Sequence, residues 1–198
     1  MSATKLQLLR HAMTRYAELS DSTWTKLCQA CSERKLSKGE TLVQIGTPSR
    51  HLYFVCQGLL RSYTLSADGK EYNKKFFPEN TFPGTIRALL KSEASDFALQ
   101  ALEPSSVLAI DHHAYRRLLE SSEDLKWYHI QYLETNWVLE KEPIEVGLAL
   151  SDSTARYRAF IEKHASILDR IPLHHIASAI GVTPTQLSRI RKAVTANI

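Results

Sequence analysis

The residues best suited to chemistry lie near the end of the chain, in the stretch "TPTQLSRIRK" at residues 183–192. This stretch contains polar and basic side chains and no carboxylate: Thr183, Thr185, Gln186, Ser188, Arg189, Arg191 and Lys192. Hydroxyl, amide and guanidinium groups can bond base edges in DNA, and Arg and Lys also bond the phosphates. We therefore expect these side chains to bind double-stranded DNA. A helical hairpin in an ordinary protein interface is the alternative interpretation.

Charge is distributed unevenly along the chain. From Ser151 onward there are seven basic and three acidic residues, whereas the first 150 residues hold 18 of each sign. The whole net charge of +4 therefore lies in the last quarter of the sequence. Such localisation is typical of a protein that binds a polyanion. Charge alone leaves a solvated basic face as an equally good interpretation.

Two short helices joined by a glycine turn are predicted to position the DNA-binding side chains. Ala177 lets the first helix approach the second, and Gly181 can adopt the left-handed conformation that turns the chain. Pro184 suits the first turn of the second helix, where its missing N–H costs little. The apolar residues between the helices are Ile176, Ile180, Val182, Leu187 and Ile190. This pattern is typical of a helix-turn-helix.

The residues before this motif fall into segments with different secondary-structure patterns. Residues 4–34 have a helical pattern, interrupted by a Ser-Asp-Ser cap. From Lys35 to about Ile110, short runs of β-branched and aromatic residues alternate with turns, which predicts a sandwich or barrel of short strands. The turn "ADGK" predicts a hairpin in which Asp68-Gly69 supplies positive φ. A short helix, "HHAYRRLLES", follows the strands.

A long helix is predicted from about Glu123 to Leu150. Its apolar positions lie close to heptad spacing: Ile130, Leu133, Trp137, Ile144 and Leu148. Such a stripe favours packing against the same helix of a second copy, and burial against its own β domain is the alternative. Glu140 interrupts the stripe, and Pro143 is expected to bend the helix. The next helix is predicted to begin with Ser151 or Ser153 as its cap.

Composition narrows the class of protein. Of the 198 residues, 43% are hydrophobic and 23% are charged, which is ordinary for a globular protein. No apolar run approaches the roughly 20 residues of a membrane span, and the first residues lack an apolar core, so we expect no secretory signal. With three Cys in the chain, we expect reduced thiols, a cytoplasmic location and no membrane partner. His112-His113 and His174-His175 are adjacent pairs without metal-ligand spacing, so we expect no metal. No nucleophile–base arrangement indicates an enzyme.

Nearly the whole chain resembles the Crp–Fnr family of bacterial transcription regulators. Its β region resembles the family's cyclic-nucleotide-binding roll in the segments "KGETLVQIG", "LYFVCQGLLRSY", "DGKE" and "FFPENTFPG". The segment "IASAIGVTPTQLSRIRK" resembles the family's helix-turn-helix. The resemblance implies a homodimer built on the long helix, in which effector binding reorients the DNA-binding domains. It implies double-stranded DNA as a partner, with RNA polymerase as a further candidate.

The resemblance implies an α+β fold in three parts. Residues 1–122 form a jelly-roll-like β-roll of the cyclic-nucleotide-binding type with flanking helices, and residues 123–150 form the dimerisation helix. Residues 151–198 form an all-α helix-turn-helix domain. The chain stops six residues after Lys192, so we expect no β-hairpin wing after the recognition helix. Phosphate contacts are then expected to depend more on Arg156, Arg158, Arg191 and Lys192.

The effector segment "PGTIRALLKSEASDFALQA" departs from the family pattern. Members that bind cyclic nucleotides carry Gly-Glu and, about a dozen residues later, Arg-Ser or Arg-Thr around the phosphate. Here Thr85 replaces the Glu, and Ser95-Asp96 replace the Arg-Ser. A missing charge-assisted pair costs about 1.5–3 kcal/mol, so we expect cyclic AMP to bind poorly or not at all. The candidate pocket for another, unknown effector consists of Gly84, Thr85, Arg87, Ser95 and Phe97; a vestigial pocket is equally open.

The iron–sulfur branch of the family does not fit this sequence. Its cluster needs four thiolates, whereas Cys28, Cys31 and Cys56 are the only Cys residues. If residues 28–31 are helical, Cys28 and Cys31 share a face and pack as small hydrophobes. We therefore expect a dimeric, sequence-specific DNA-binding regulator with no resident cofactor. The alternative is a ligand-binding or protein-interaction module whose DNA-binding function has decayed.

Overall fold

The computed structural model describes residues 2–139 and 152–195. Within them the α-helices are Ala3–Thr14 (α1), Asp21–Gln29 (α2), Ile86–Lys91 (α3), His112–Ser121 (α4), Glu123–Leu133 (α5), Ser153–Lys163 (α6), Leu173–Ala179 (α7) and Pro184–Thr195 (α8). The strands are Cys31–Leu36 (β1), Thr41–Val43 (β2), His51–Gln57 (β3), Leu60–Leu65 (β4), Glu71–Phe77 (β5), Ala98–Ala101 (β6) and Ser105–Asp111 (β7). A π-helical segment, Glu134–Leu139, extends α5, and a 3-10 helix, Ala165–Arg170, follows α6.

The strands form two antiparallel sheets that pack face to face. The first sheet has the order β1-β7-β3 and the second the order β2-β6-β4-β5. Their facing side chains form a buried core that includes Leu36, Val43, Tyr53, Val55, Leu60, Phe77, Leu99, Ala101, Val107 and Ala109. The predicted hairpin is present between β4 and β5, where Ser66 N donates to Lys70 O and Gly69 has φ +77°. The predicted class, short strands around one core, is therefore found.

The N-terminal helices pack on the other side of the first sheet. Phe54 and Leu108 from that sheet meet Leu9, Leu27 and Leu125 from the surrounding helices, and all five are fully buried. The prediction of helix as far as residue 34 was wrong at its end. Helix α2 ends at Gln29, and the polar segment "CSERKL" becomes β1 because β7 offers it a full antiparallel partner. Cys28 and Cys31 therefore do not share one helix.

Helix α5 begins at Glu123 as predicted, but its α-helical hydrogen bonding ends at Leu133. The chain continues in the π-helical segment, which shifts the faces of later residues relative to a regular heptad. Of the predicted stripe, Ile130 is 44% exposed, Leu133 37% and Trp137 40%. These three large apolar side chains are therefore only partly covered by the described part of the chain. Ile144 and Leu148 lie outside the described residues.

The C-terminal helices pack on the outer face of the second sheet. Tyr157, Ile167 and Ile176 form one buried cluster with Phe76 and Leu102 of the roll. Asp152 caps α6, because its side-chain oxygen accepts a hydrogen bond from Ala155 N at 2.8 Å. The prediction of Ser151 or Ser153 as the cap was therefore wrong. Asp, Asn and Ser cap helices about equally well, so the sequence "SDS" alone does not show which of its three residues is the cap.

Candidate functional site

Helices α7 and α8 are joined by a short turn at Gly181. Between them Gly181 has φ +71°, and Val182 N donates to Ala177 O at 3.0 Å. Ala177 is 1% exposed and Leu187 is also 1% exposed, so the small residue and the apolar residue fill the space between the helices. Pro184 is the first residue of α8, as expected. Because the apolar side of α8 packs against α7, its opposite side lies on the protein surface.

The start of α8 is fixed by a reciprocal pair of side-chain bonds. Thr183 Oγ1 accepts from Gln186 N at 3.2 Å, and Gln186 Oε1 accepts from Thr183 N at 2.8 Å. This is a capping box, which satisfies two backbone donors that the first turn would leave open. The sequence analysis predicted only DNA binding for Thr183 and Gln186. In the structure both side chains are already engaged in ending the turn and starting the helix.

The remaining predicted DNA-binding side chains lie on the exposed surface of α8. Thr185, Ser188, Arg189 and Lys192 are all exposed, as is Arg191. The segment from Thr183 to Lys192 contains no Asp or Glu, so the side-chain charge of this face is positive. Such a face can donate to guanine O6 and N7 and to phosphate oxygens.

Arg156 makes a contact that the sequence analysis did not predict. Its Nε donates to Ile180 O at 3.0 Å, at the carboxyl end of α7. The guanidinium thus helps to hold the turn of the helix-turn-helix against α6. A cation at a helix C-terminus stabilises the unpaired carbonyls there. Arg158, by contrast, is exposed on α6.

The predicted effector segment, residues 84–97, is folded around its own polar groups. We call it the cassette. The Arg87 guanidinium pairs with the Asp96 carboxylate and lies 3.7 Å from Glu93 Oε2. Ser95 Oγ donates to Phe97 O at 2.7 Å and accepts from Phe97 N at 3.1 Å. Asp96 therefore does not stand as an unpaired charge, because Arg87 neutralises it.

Two members of the cassette have apolar surroundings. A side chain at Gly84 would meet Ile86 Cδ1 at 3.0 Å, so the glycine permits close packing there. Thr85 is 6% exposed, and its Oγ1 is buried without a hydrogen-bond partner among the described residues. Among the predicted pocket residues, Arg87 is paired with carboxylates of the cassette and the Ser95 hydroxyl is bonded to the backbone of Phe97, so their polar groups are already engaged.

A buried polar network that the sequence interpretation missed joins the roll to α7. Arg61 of β4 is only 3% exposed. Its Nη1 lies 2.9 Å from His175 Nδ1 and donates to Asn73 Oδ1 at 3.0 Å. Its Nε and Nη2 both donate to Gln100 Oε1, at 2.9 and 2.7 Å, and Nη1 also pairs with Glu71. All three guanidinium nitrogens of Arg61 thus have hydrogen-bond partners.

The same network determines the charge of His175. Burial, and then the positive charge of Arg61, lower the pKa of His175 to about 4. The imidazole is therefore neutral at pH 7 and accepts from Arg61 at Nδ1. The hydrogen bond from Arg61 also lowers the pKa of Glu71. Nearby, Ser178 Oγ donates to Glu71 O at 2.6 Å and accepts from Asn73 N at 3.0 Å, which adds two bonds between α7 and β5.

A second polar cluster lies at Arg170, in the 3-10 helix before α7. Its guanidinium donates to both carboxylate oxygens of Glu79, at 3.1 and 2.9 Å, and to Glu103 Oε1 at 2.6 Å. Glu79 Oε1 also accepts from Gly58 N at 2.8 Å. The two carboxylates raise the pKa of Arg170, so its charge is permanent. The Arg61 and Arg170 clusters lie beside the apolar cluster between the roll and the C-terminal helices.

Two of the three thiols, those of Cys31 and Cys56, are shielded from water in this fold. Burial raises the pKa of Cys31 to about 12 and that of Cys56 to about 11, so both remain protonated at pH 7. In residues 2–139 and 152–195, no group of three or more His, Cys, Asp or Glu residues is placed to hold a metal ion. Nor does this part of the chain contain a helix long and apolar enough to cross a membrane.

Comparison with known proteins agrees with this geometry. Residues 33–122 match the family model of the cyclic nucleotide-binding domain. Over 82 residues the chain is 29% identical to the potassium channel GORK of Arabidopsis thaliana. That match covers 41% of this chain and 10% of the channel, so the chain spans only a small part of that relative's length.

Solved structures extend the similarity to the C-terminal helices. CLP of Xanthomonas campestris, described as a c-di-GMP responsive global regulator, has 16% identity and a TM-score of 0.71, covering 90% of this chain and 93% of that one. FixK2 of Bradyrhizobium japonicum has 18% identity and a TM-score of 0.70, covering 84% and 85%. DNR of Pseudomonas aeruginosa has 20% identity and a TM-score of 0.60, covering 100% and 89%. The chain thus has a mixed α+β fold with a β-roll of this type.

Proposed function

We propose that this chain is a dimeric, sequence-specific DNA-binding transcription regulator of the Crp–Fnr type, acting in the cytoplasm without enzymatic activity. The observation that carries the proposal is the exposed, acid-free face of α8. Arg189 is the expected base reader, because its fork of donors matches guanine O6 and N7. Thr185 and Ser188 can contact a thymine methyl or either kind of base edge. Arg191 and Lys192 supply phosphate contacts.

The dimer is supported by the exposed apolar residues at the end of α5. Ile130, Leu133 and Trp137 face solvent in one copy of the chain, and burying them against a second copy would remove them from water. A two-fold dimer presents two α8 helices. We therefore expect an operator of two half-sites, about one helical turn or roughly 34–36 Å apart.

The effector of this regulator is expected to differ from cyclic AMP. In the cassette, Arg87 is already paired with Asp96, so a phosphate entering there would have to break that pair and face the carboxylate. We expect cyclic AMP to bind weakly at most, and calorimetric titration of the full chain tests this. Micromolar affinity would contradict the assignment of residues 84–97.

The Arg61 and Arg170 clusters support a mechanical link between the roll and the DNA-binding helices. Both join strands or loops of the roll to α7 or to the segment just before it. A shift of β4 or β5 would therefore move α7, and with it the turn that sets the direction of α8. RNA polymerase remains a candidate partner downstream of DNA binding.

Selection of genomic fragments on the immobilised full chain, followed by sequencing, tests the proposed function. The expected result is a two-fold repeated site with one guanine kept in each half-site, because one Arg of α8 reads bases. Recovery of fragments with no shared sequence would contradict sequence-specific binding. It would favour the alternative of a ligand-binding or interaction module.

A further inference from the structure

An open groove lies beside the cassette, on the rim of the roll. It has a volume of about 330 Å³, within the range of small-molecule sites. Residues 41–44, residues 47–51 and Tyr53 line it, so β2, the loop after β2 and the first half of β3 form its walls. None of the five predicted pocket residues is among those that line it.

Two adjacent polar side chains of this groove have no partner among the described residues. Ser49 Oγ is buried and has no hydrogen-bond partner among the described residues. The side chain of Arg50 is exposed, and it forms no hydrogen bond or ion pair with any residue that the structure describes. A buried hydroxyl without a partner costs free energy unless a ligand or water bonds to it. These two neighbours therefore indicate a site for a ligand that accepts hydrogen bonds.

The charge of the lining specifies the kind of ligand. No Asp or Glu is among the lining residues, whose polar members are Thr41, Gln44, Thr47, Ser49, Arg50, His51 and Tyr53. Burial lowers the pKa of His51, while Asp111 opposes this shift and Arg34 and Arg50 add to it, so His51 is neutral at pH 7. The groove thus offers one full positive charge together with neutral donors. An anionic group is the complement of that set.

The groove is connected directly to the cassette through the backbone. Gly46 N donates to Ser95 O at 2.8 Å, and Ser95 N donates to Thr47 O at 2.9 Å. Pro48 and Ala94 form a further bridge. A ligand that orders the loop at residues 44–50 therefore also acts on the segment that the family resemblance assigns to effector sensing.

We propose that this groove binds a small organic anion, with its phosphate or carboxylate head held by Arg50 and Ser49 Oγ. The apolar walls, Leu42, Val43 and Tyr53, hold the body of the ligand. The groove would then be the effector site of the regulator, displaced from the cassette, and in that role it rests on the proposed function. Binding itself is measured without DNA, so the site and the proposed function can fail separately.

The test is calorimetric titration of the full chain with glycerol 3-phosphate, succinate, inorganic phosphate and neutral glycerol. We expect a charged probe to bind with a Kd below about 1 mM and glycerol not to bind. Comparison of glycerol 3-phosphate with succinate identifies the head group. Inorganic phosphate shows how much of the affinity the head supplies alone.

Four variants locate the site. Arg50→Gln should weaken binding at least ~10-fold, because it removes the charge-assisted bond, and Ser49→Ala should weaken it by about 2–5-fold. Arg117→Gln is the matched control, since it removes an exposed Arg of α4, outside the groove and the cassette, and should leave binding unchanged. Arg87→Gln shows separately whether the cassette contributes to binding. Because Arg50, Arg87 and Arg117 are all exposed, none of these changes should prevent folding, and thermal melting of each variant verifies this. Failure of every charged probe, equal binding of glycerol, or dependence on Arg87 instead of Arg50 would overturn the proposal.

Discussion

The α7–α8 pair and the cassette both contain the backbone residues that the sequence analysis compared with a family pattern, but their polar side chains behave differently. In the first, Gly181 and Pro184 set the turn and the start of α8, and Arg189 and Lys192 remain exposed. In the second, Gly84 permits close packing, but the Arg87 guanidinium is paired with Asp96. The residues that build a motif and the residues that give it chemistry can thus change independently. A matched fold segment does not imply a matched ligand.

Arg61 and Arg87 of the roll differ in how far their ion pairs are shielded from water. Arg61 is 3% exposed and bonds four side chains, whereas the Arg87 side chain is 63% exposed and bonds carboxylates that are also exposed. Screening by water makes the Arg87 pairs weak. The more strongly shielded polar contacts of the roll therefore lie at its junction with α7, away from the cassette.

The largest effect is expected from Trp137→Glu, which places a charge in the proposed dimer seam. The variant should be monomeric by light scattering and should bind a two-fold site at least ~100-fold more weakly, because two linked recognition helices gain from effective concentration. Thr135→Glu, at a neighbouring exposed position outside the predicted stripe, is the control and should stay dimeric. An unchanged dimer mass for Trp137→Glu would place the seam elsewhere.

The second prediction compares Arg61→Ala with Arg87→Ala. Loss of Arg61 leaves the buried His175 and Asn73 and the half-buried Gln100 without their donor, so the free energy of unfolding should fall by about 3 kcal/mol. Loss of Arg87 should change it by less than ~1 kcal/mol. Chemical denaturation monitored by tryptophan fluorescence measures both. Equal losses would show that the junction with α7 is no stronger than the cassette surface.

The third prediction separates base reading from phosphate binding on α8. Arg189→Ala should cost about 1–3 kcal/mol at the selected site and relax the preference for guanine there. Lys192→Ala should weaken all sequences alike and reduce the salt slope by about one. Fluorescence anisotropy with the selected and a scrambled duplex gives both quantities. If Arg189→Ala weakens the two duplexes equally, the base reader is Thr185 or Ser188.

The last prediction is a pH dependence of stability to which His175 of the junction contributes. The pKa of His175 is about 4 in the folded chain and about 6.5 when unfolded, so protons bind the unfolded state first as pH falls. Stability should therefore be lost from pH 6.5 towards 4, by up to ~1.4 kcal/mol per pH unit. The cassette contains no His.

The variant His175→Gln isolates this contribution. The pKa values of His51, His112, His129 and His164 are also lowered, so the wild-type slope is a sum over several groups. His175→Gln should flatten the curve of unfolding free energy against pH between pH 6.5 and 4. A curve parallel to that of the wild type would mean that His175 takes up its proton without leaving the junction.

Local signals explain which parts of the fold could be predicted from the sequence. The turn at Gly181, the helix start at Pro184 and the hairpin at Gly69 depend on residues within a few positions of one another. Strand β1 was missed because its sequence is polar, and it forms a strand only through pairing with β7. Tertiary context determined its structure.

The junction between the roll and α7 was beyond sequence reasoning for a related reason. Arg61 and His175 are 114 positions apart, and neither carries a motif. An arginine inside the apolar run "GLLRSY" was the one available signal, since a buried strand seldom carries an unpaired charge. The capping role of Gln186 was visible as the spacing Thr-x-x-Gln, although the sequence interpretation assigned the residue to DNA.

The central claim is that α8 binds DNA specifically, and the salt dependence of binding tests it most directly. Fluorescence anisotropy of the full chain with the selected duplex and with a scrambled duplex is measured across a range of salt concentrations. The account predicts tighter binding to the selected duplex at every salt concentration, with log K falling linearly against log salt for both duplexes. Identical affinity for the two duplexes, or binding that does not change with salt, would contradict it.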